Sequence, residues 1–307
     1  MQGTVDGFSY GIFTPIAAFV MACLGRALGL RCVTRSLRAA QSFKPGWLSL
    51  GAASIGCGIW TMHFIAMMGF QVRETPVSHD VPLTLASLAV AVLVVGAGVF
   101  IVGYLGSAPA VLITAGVITG LGVAAMHYLG MAGLSLEGQL HYDTTIVTIS
   151  VVIAVVAATA ALWAAVSVRG FFPSLLASLI MGVAVTAMHY TGMAAISVHL
   201  AGGAPRTGAS GDALPSIMFP MLLGPVVFLV LAGVVVMFDP LLILGDGEWN
   251  ENPARKRETN RPELTDAPGA PGAARTMPGP PTWMGGGGTA SRDTGTPPPE
   301  PPRPARW

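Results

Sequence analysis

Charge is scarce in this chain. Asp, Glu, Lys and Arg make up 10% of its 307 residues, against about 25% in soluble domains. From Leu83 to Leu105, and again from Thr144 to Val168, there is none at all. That shortage excludes an ordinary soluble domain, whose surface needs charge to stay hydrated. The net charge is only +1, so there is no basic excess of the kind that attracts nucleic acid, and no nucleic-acid partner is expected. Cysteine is equally sparse. Cys23, Cys32 and Cys57 lie in or just beside apolar runs, which excludes a disulfide framework. The N-terminus has no basic segment ahead of its first apolar run, so no cleaved signal peptide is expected.

What is present is hydrophobic sequence, 52% of the residues. Seven stretches can be marked: 10–30, 47–70, 83–105, 110–134, 144–168, 173–197 and 216–238. Each suits the roughly 20 residues that a helix needs to cross a bilayer. Every Asp and Glu falls outside them. Lipid offers the backbone no hydrogen bonds, so the spans should be helical. The predicted fold is an all-α membrane protein of seven transmembrane helices. Basic residues cluster after span 1 (Arg31, Arg35, Arg38, Lys44), between spans 5 and 6 (Arg169), and after span 7 in "ARKR" at 254–257. Basic loops stay cytoplasmic, which predicts the N-terminus outside and the C-terminus inside.

Composition changes near Asp239. Residues 1–240 read as the membrane domain. Residues 241–307 are a Pro/Gly-rich cytoplasmic tail, with "GGGG" at 285–288 and "TPPPEPPRP" near the end. Such a segment buries too little apolar surface to fold and is expected to be disordered.

Three spans share a phrase: "MHFIAMMGF" at 62–70, "MHYLGMAGL" at 126–134 and "MHYTGMAAI" at 188–196. His63, His127 and His189 stand 64 and 62 residues apart. Each repeat is therefore read as a helix pair (2–3, 4–5 and 6–7), parallel to the others, with helix 1 left over. The three histidines fall at one depth near the outer face. Met67, Met131 and Met193 follow at i+4, on the same helical face. Met62, Met126 and Met188 precede each histidine by one residue, and Phe64, Tyr128 and Tyr190 follow it. Cys57 stands about 120° around the helix from His63 and is no partner for it. Gly56, Gly120 and Gly182, with Gly58, Gly122 and Ala184 two positions on, predict close approach of helices 2, 4 and 6 to one another.

Intramembrane ionisable residues are functional candidates by default. Imidazole suits copper, iron, zinc and nickel, whereas thioether selects soft ions, Cu(I) above all. A set of histidine plus methionine favours copper over zinc, and the spans offer no carboxylate. Haem held by two histidines, or by His and Met, is the rival cofactor; a metal-free polar network is the third reading. The outer loops add His79, Asp80, His141, Tyr142 and Asp143. With Tyr128 and Tyr190 these are candidates for a vestibule or supporting shell. The lack of acids in the spans argues against an enzyme using general acid–base chemistry there.

With "MHYL", "MHYT" and the variant "MHFI" in place, residues 8–240, including "FSYGIFTPIAAF" at 8–19, resemble the MHYT domain. This is a bacterial integral-membrane sensor module. The resemblance implies a cell-membrane protein that detects a diatomic gas (oxygen, carbon monoxide or nitric oxide) through copper. The ligands would be His63, His127, His189 and the flanking methionines. Many members continue into a signalling output domain, whereas the tail here reads as unfolded, which predicts an unknown cytoplasmic signalling partner. The first motif departs from the others in having Ala66 where they have Gly130 and Gly192. A metal or small-solute transporter, or a copper-handling protein, is the alternative.

Overall fold

The computed structural model describes residues 3–239 except 8, 39–42, 73, 76, 137, 169 and 201–212. The expected tail lies outside the described residues. So do Arg73, Arg169, Arg206 and the basic run at 254–257. Among the described residues seven helices form: α1 (Phe13–Arg38), α2 (Lys44–Met68), α3 (Val81–Leu105), α4 (Pro109–Ala132), α5 (Thr144–Ser167), α6 (Phe171–Ala194) and α7 (Ala213–Met237). All seven are long and apolar enough to cross a membrane. Their starts follow local chemistry. Proline occupies the first turn of α2, α3 and α4, where its missing N–H costs nothing. Asp80 caps α3 by accepting from the Leu83 N–H at 2.8 Å, and Asp143 caps α5 by accepting from Thr145 and Ile146. Large apolar side chains such as Leu93, Val152, Leu176 and Leu231 point outward, as a lipid-facing belt requires.

Three expectations need correction. First, Arg31, Arg35 and Arg38 belong to α1 and not to a loop. Charge ends the lipid-compatible stretch there, but arginine is a good helix former and the helix continues. Second, helices α1 to α6 close a ring, each packed on the next, with α1 completing it against α6. The expected neighbours α2–α3 and α4–α5 do pack together, but α7 sits on α2 and α1. Beside α6, the place that α3 takes at α2 and α5 takes at α4 is filled by α1. Third, the glycines do not bring the motif helices together. A Cβ at Gly56 would strike Val92 of α3, one at Gly120 Val155 of α5, and one at Gly182 Cys23 of α1. At these three positions the close approach is between each motif helix and a companion helix beside it in the ring.

The loops at the motif end contain short antiparallel strand pairs that the all-α reading did not include. In chain order the strands are β1 (Val5–Asp6), β2 (Gln71–Val72), β3 (Ser78–His79), β4 (Leu134–Ser135), β5 (Gly138–Tyr142) and β6 (Ile196–Leu200). They pair β1 with β2, β3 with β4 and β5 with β6. The N-terminal segment is thereby tied to the loop after α2, that loop to the loop after α4, and the latter to the loop after α6. Pairs this short leave no readable alternation in sequence.

Candidate metal centre

The last turns of α2, α4 and α6 bring His63, His127 and His189 together, each only 1% exposed. Their Nδ1 atoms form a triangle with sides of 3.0 Å (His63–His189), 3.1 Å (His63–His127) and 3.4 Å (His127–His189). The rings meet edge to face, with centroids 4.9–5.1 Å apart. Three neutral imidazoles cannot satisfy such a triangle by hydrogen bonds alone. Each Nδ1 is either a donor or an acceptor, so at least one side joins two donors or two acceptors. A cation at the centre would take all three lone pairs. Donors about 2 Å from a shared ion stand a little over 3 Å apart, close to the observed sides. Among the described residues these three are the group of side chains placed to hold a metal ion.

The repeat supplies a fixed surround. Phe64, Tyr128 and Tyr190 each lie edge-on to the preceding histidine at centroid distances of 4.6, 4.8 and 5.1 Å. The Tyr128 hydroxyl hydrogen-bonds Ser150 Oγ at 2.7 Å. In the first repeat Trp60 Nε1–H donates to Ser87 Oγ, the matching serine of α3, at 2.9 Å. The outer edges of two rings press on glycine. A Cβ at Gly130 of α4 would stand 2.6 Å from His63 Nε2, and one at Gly192 of α6 would stand 2.5 Å from His127 Nε2. Those two Nε2 atoms are buried without a hydrogen-bond partner. Each of these two rings thus lies against the glycine three positions after the next histidine.

The other sequence candidates fall in different places. Met62, Met126 and Met188 belong to the main core, with Ile59, Val123 and Val185. Met67, Met131 and Met193 pack in a second apolar cluster with the strand residues Val72, Leu134 and Val198, on the side toward the loops. His79 is buried, packs on Phe64 at 5.8 Å between centroids, and leaves both nitrogens without a partner. Burial lowers its pKa to about 4. Asp80 and Asp143 are engaged as helix caps. His141 is exposed and pairs edge-on with His199 at 6.1 Å. Tyr142 lies 6.0 Å from the Tyr128 ring, and its pKa is raised by burial and then by Tyr128. Arg26, inside α1 and beside the core, was missed in the sequence reading. The signal was present, since it is the one charged residue within the seven marked stretches.

The sequence profile of the MHYT family, described as a bacterial signalling protein N-terminal repeat, matches residues 56–115 and 120–178. A protein of Pseudomonas aeruginosa named Cyclic di-GMP phosphodiesterase NbdA is 34% identical over 229 residues, covering 69% of this chain and 28% of its own length. From the same organism, Bifunctional diguanylate cyclase/cyclic di-GMP phosphodiesterase MucR is 36% identical over 195 residues, 61% of this chain and 28% of the relative. Signaling protein YkoW of Bacillus subtilis is 31% identical over 164 residues, 50% of this chain and 20% of the relative. The chain thus spans less than a third of the length of these curated relatives. No solved structure matches it.

Proposed function

The chain belongs to the MHYT family of bacterial membrane signalling proteins, and on that premise we propose that it is a copper-dependent sensor of a diatomic gas (oxygen, carbon monoxide or nitric oxide). His63, His127 and His189 would hold the metal. The observation that carries this reading is the Nδ1 triangle, with every side at 3.4 Å or less. Copper bound there would supply a soft centre able to bind a small neutral molecule. The chain's own part is to present three neutral imidazoles in a dry site, oriented by the aromatic rings and by Gly130 and Gly192. Met67, Met131 and Met193 lie one helical turn on, in the apolar cluster toward the loops, and thioethers turned to the metal would supply the softness that favours copper over zinc. Haem fits less well, because rings this close leave no gap for a macrocycle between two axial imidazoles.

Transport is the weaker alternative. Ile59, Val123 and Val185, each four residues before a histidine and nearly fully buried, form an apolar layer beneath the triad. A migrating ion would find no donors there. Signalling proceeds from the basic, cytoplasmic end through a partner or a linked output domain. The test is metal content and the optical spectrum of the purified full chain. One copper per chain is expected, and His63→Ala, His127→Ala and His189→Ala should each abolish it. A Soret band, or copper retained in all three variants, would remove the proposal.

A further inference from the structure

Arg26 stands near the middle of α1. Its Nε is buried without a hydrogen-bond partner, and it makes no ion pair with a described residue. Guanidinium keeps its proton under all ordinary conditions. A charge at mid-membrane depth without a counter-charge is costly, and such residues normally pair with an acid or face a polar cavity. The marked spans contain no acid. What lies beside Arg26 is a cavity of about 50 Å³. Its wall is largely aliphatic, with the small residues Ala154, Ala158 and Ala161 on α5, and Thr119 and Ser178 add hydroxyls. The Ser178 hydroxyl donates to the Ser174 carbonyl at 2.8 Å, whereas the Thr119 hydroxyl is buried without a partner. One cation and one residue with an orphaned hydroxyl therefore line the same cavity.

We propose that this cavity binds a small monovalent inorganic anion, with the Arg26 guanidinium as its counter-charge and the Thr119 hydroxyl as a second donor. The space sets the class of ligand. A single water needs about 10–15 Å³, so the cavity has room for a ligand of only a few atoms. One positive charge balances one negative charge, which selects halide or nitrate over sulfate. The site is separated from the histidines by the layer of Ile59, Val123 and Val185, and its occupancy does not depend on a metal at the triad.

The probe is chloride, followed by the broadening of its ³⁵Cl resonance on the purified full chain. The expected result is saturable broadening that nitrate reverses and sulfate does not. Arg26→Gln should weaken chloride binding about tenfold or more, the worth of a hydrogen bond to a charged group. Ala158→Leu keeps the charge but fills the cavity, and should abolish the saturable component. Thr119→Val should weaken it to a smaller degree. If Arg26→Gln does not fold, the other two variants decide, since both leave the guanidinium in place. Absence of saturable broadening in the parent protein overturns the proposal, as does broadening that persists in Ala158→Leu. Displacement by sulfate as effective as that by nitrate overturns the monovalent assignment.

Discussion

Adding one methyl group at Gly130 should weaken copper binding without touching a ligand. The Cβ of Gly130→Ala would stand 2.6 Å from His63 Nε2, 3.2 Å from its Cδ2 and 3.3 Å from Phe64 Cζ, where ordinary contact begins at 3.4 Å. The shortfall against Nε2 is about 0.8 Å. Phe64 already lies against His63 edge-on, so the ring's way out is toward His127 and His189. Their Nδ1 atoms are already 3.1 and 3.0 Å away. Metal sites tolerate departures of about 0.2 Å in ligand distance. Overpacking of this kind costs about 1–3 kcal/mol, and each 1.4 kcal/mol is about tenfold in affinity. The expected loss is therefore about tenfold to a hundredfold. Gly192→Ala acts on His127 in the same way.

The assay is competition with a chromogenic Cu(I) chelator on purified protein, alongside a thermal melt. Glycine to alanine within a helix improves helix propensity by about 1 kcal/mol, so weaker copper binding cannot be blamed on a weaker helix. Gly224→Ala is the control, because nothing lies within 4 Å of the added Cβ. Ala66→Gly is a second control. It removes the methyl that the chain already has at the third equivalent position, and affinity should change little. Parent-like copper affinity in folded Gly130→Ala and Gly192→Ala would show that the metal, if bound, is not held by this triangle.

Three further outcomes are expected. Met67→Leu, Met131→Leu and Met193→Leu conserve volume and should weaken Cu(I) more than Cu(II), since they remove only the softer donor; equal effects on both valences would reduce the site to imidazoles. A periplasmic-type reporter fused after residue 240 should be silent and a cytoplasmic one active, following the Lys/Arg bias, and the reverse pattern would invert the orientation. His79 adds a pH dependence to stability. Burial holds its pKa at about 4 in the folded protein, against about 6.5 when unfolded. Between those values the unfolded chain binds more protons, so stability falls as pH drops through that window, by about 2 kcal/mol at pH 5. His79→Phe should therefore lose less melting temperature than the parent between pH 7 and pH 5, and an identical loss would contradict the burial argument.

Much of the site was legible because its signal is local. A histidine in an uncharged span, repeated with a methionine one turn later, already places three imidazoles at one depth on similar faces. Helix type and extent were equally plain, since six of the seven marked stretches end within three residues of the observed helices. The exception is α1, where a rule about lipid was applied to a question about helix propensity. Which face meets which was not legible. Glycine permits close approach but does not name the neighbour. Gly56, Gly120 and Gly182 turned out to serve α3, α5 and α1. The glycines that do shape the site, Gly130 and Gly192, are the ones inside the motif. Their role is visible only once His63 and His127 are seen lying against them.

Ring closure by α1 was hidden for a related reason. The sequence repeat begins at the first motif helix, so counting from there pairs α6 with α7 and leaves α1 as a remainder. Packing depends on geometry and not on chain order. A ring of alternating motif and companion helices needs a companion between α6 and α2, and the helix that fits there is the one carrying Gly25 and Cys23. Added Cβ atoms show how tight that fit is: at Gly25 one would meet Gly58 Cα at 2.7 Å, while Gly182 is closed off by Cys23. The same placement puts Arg26 on a cavity that residues of α4 and α5 also line. The one charged residue within the marked spans is thus explained by the position its helix takes in the ring.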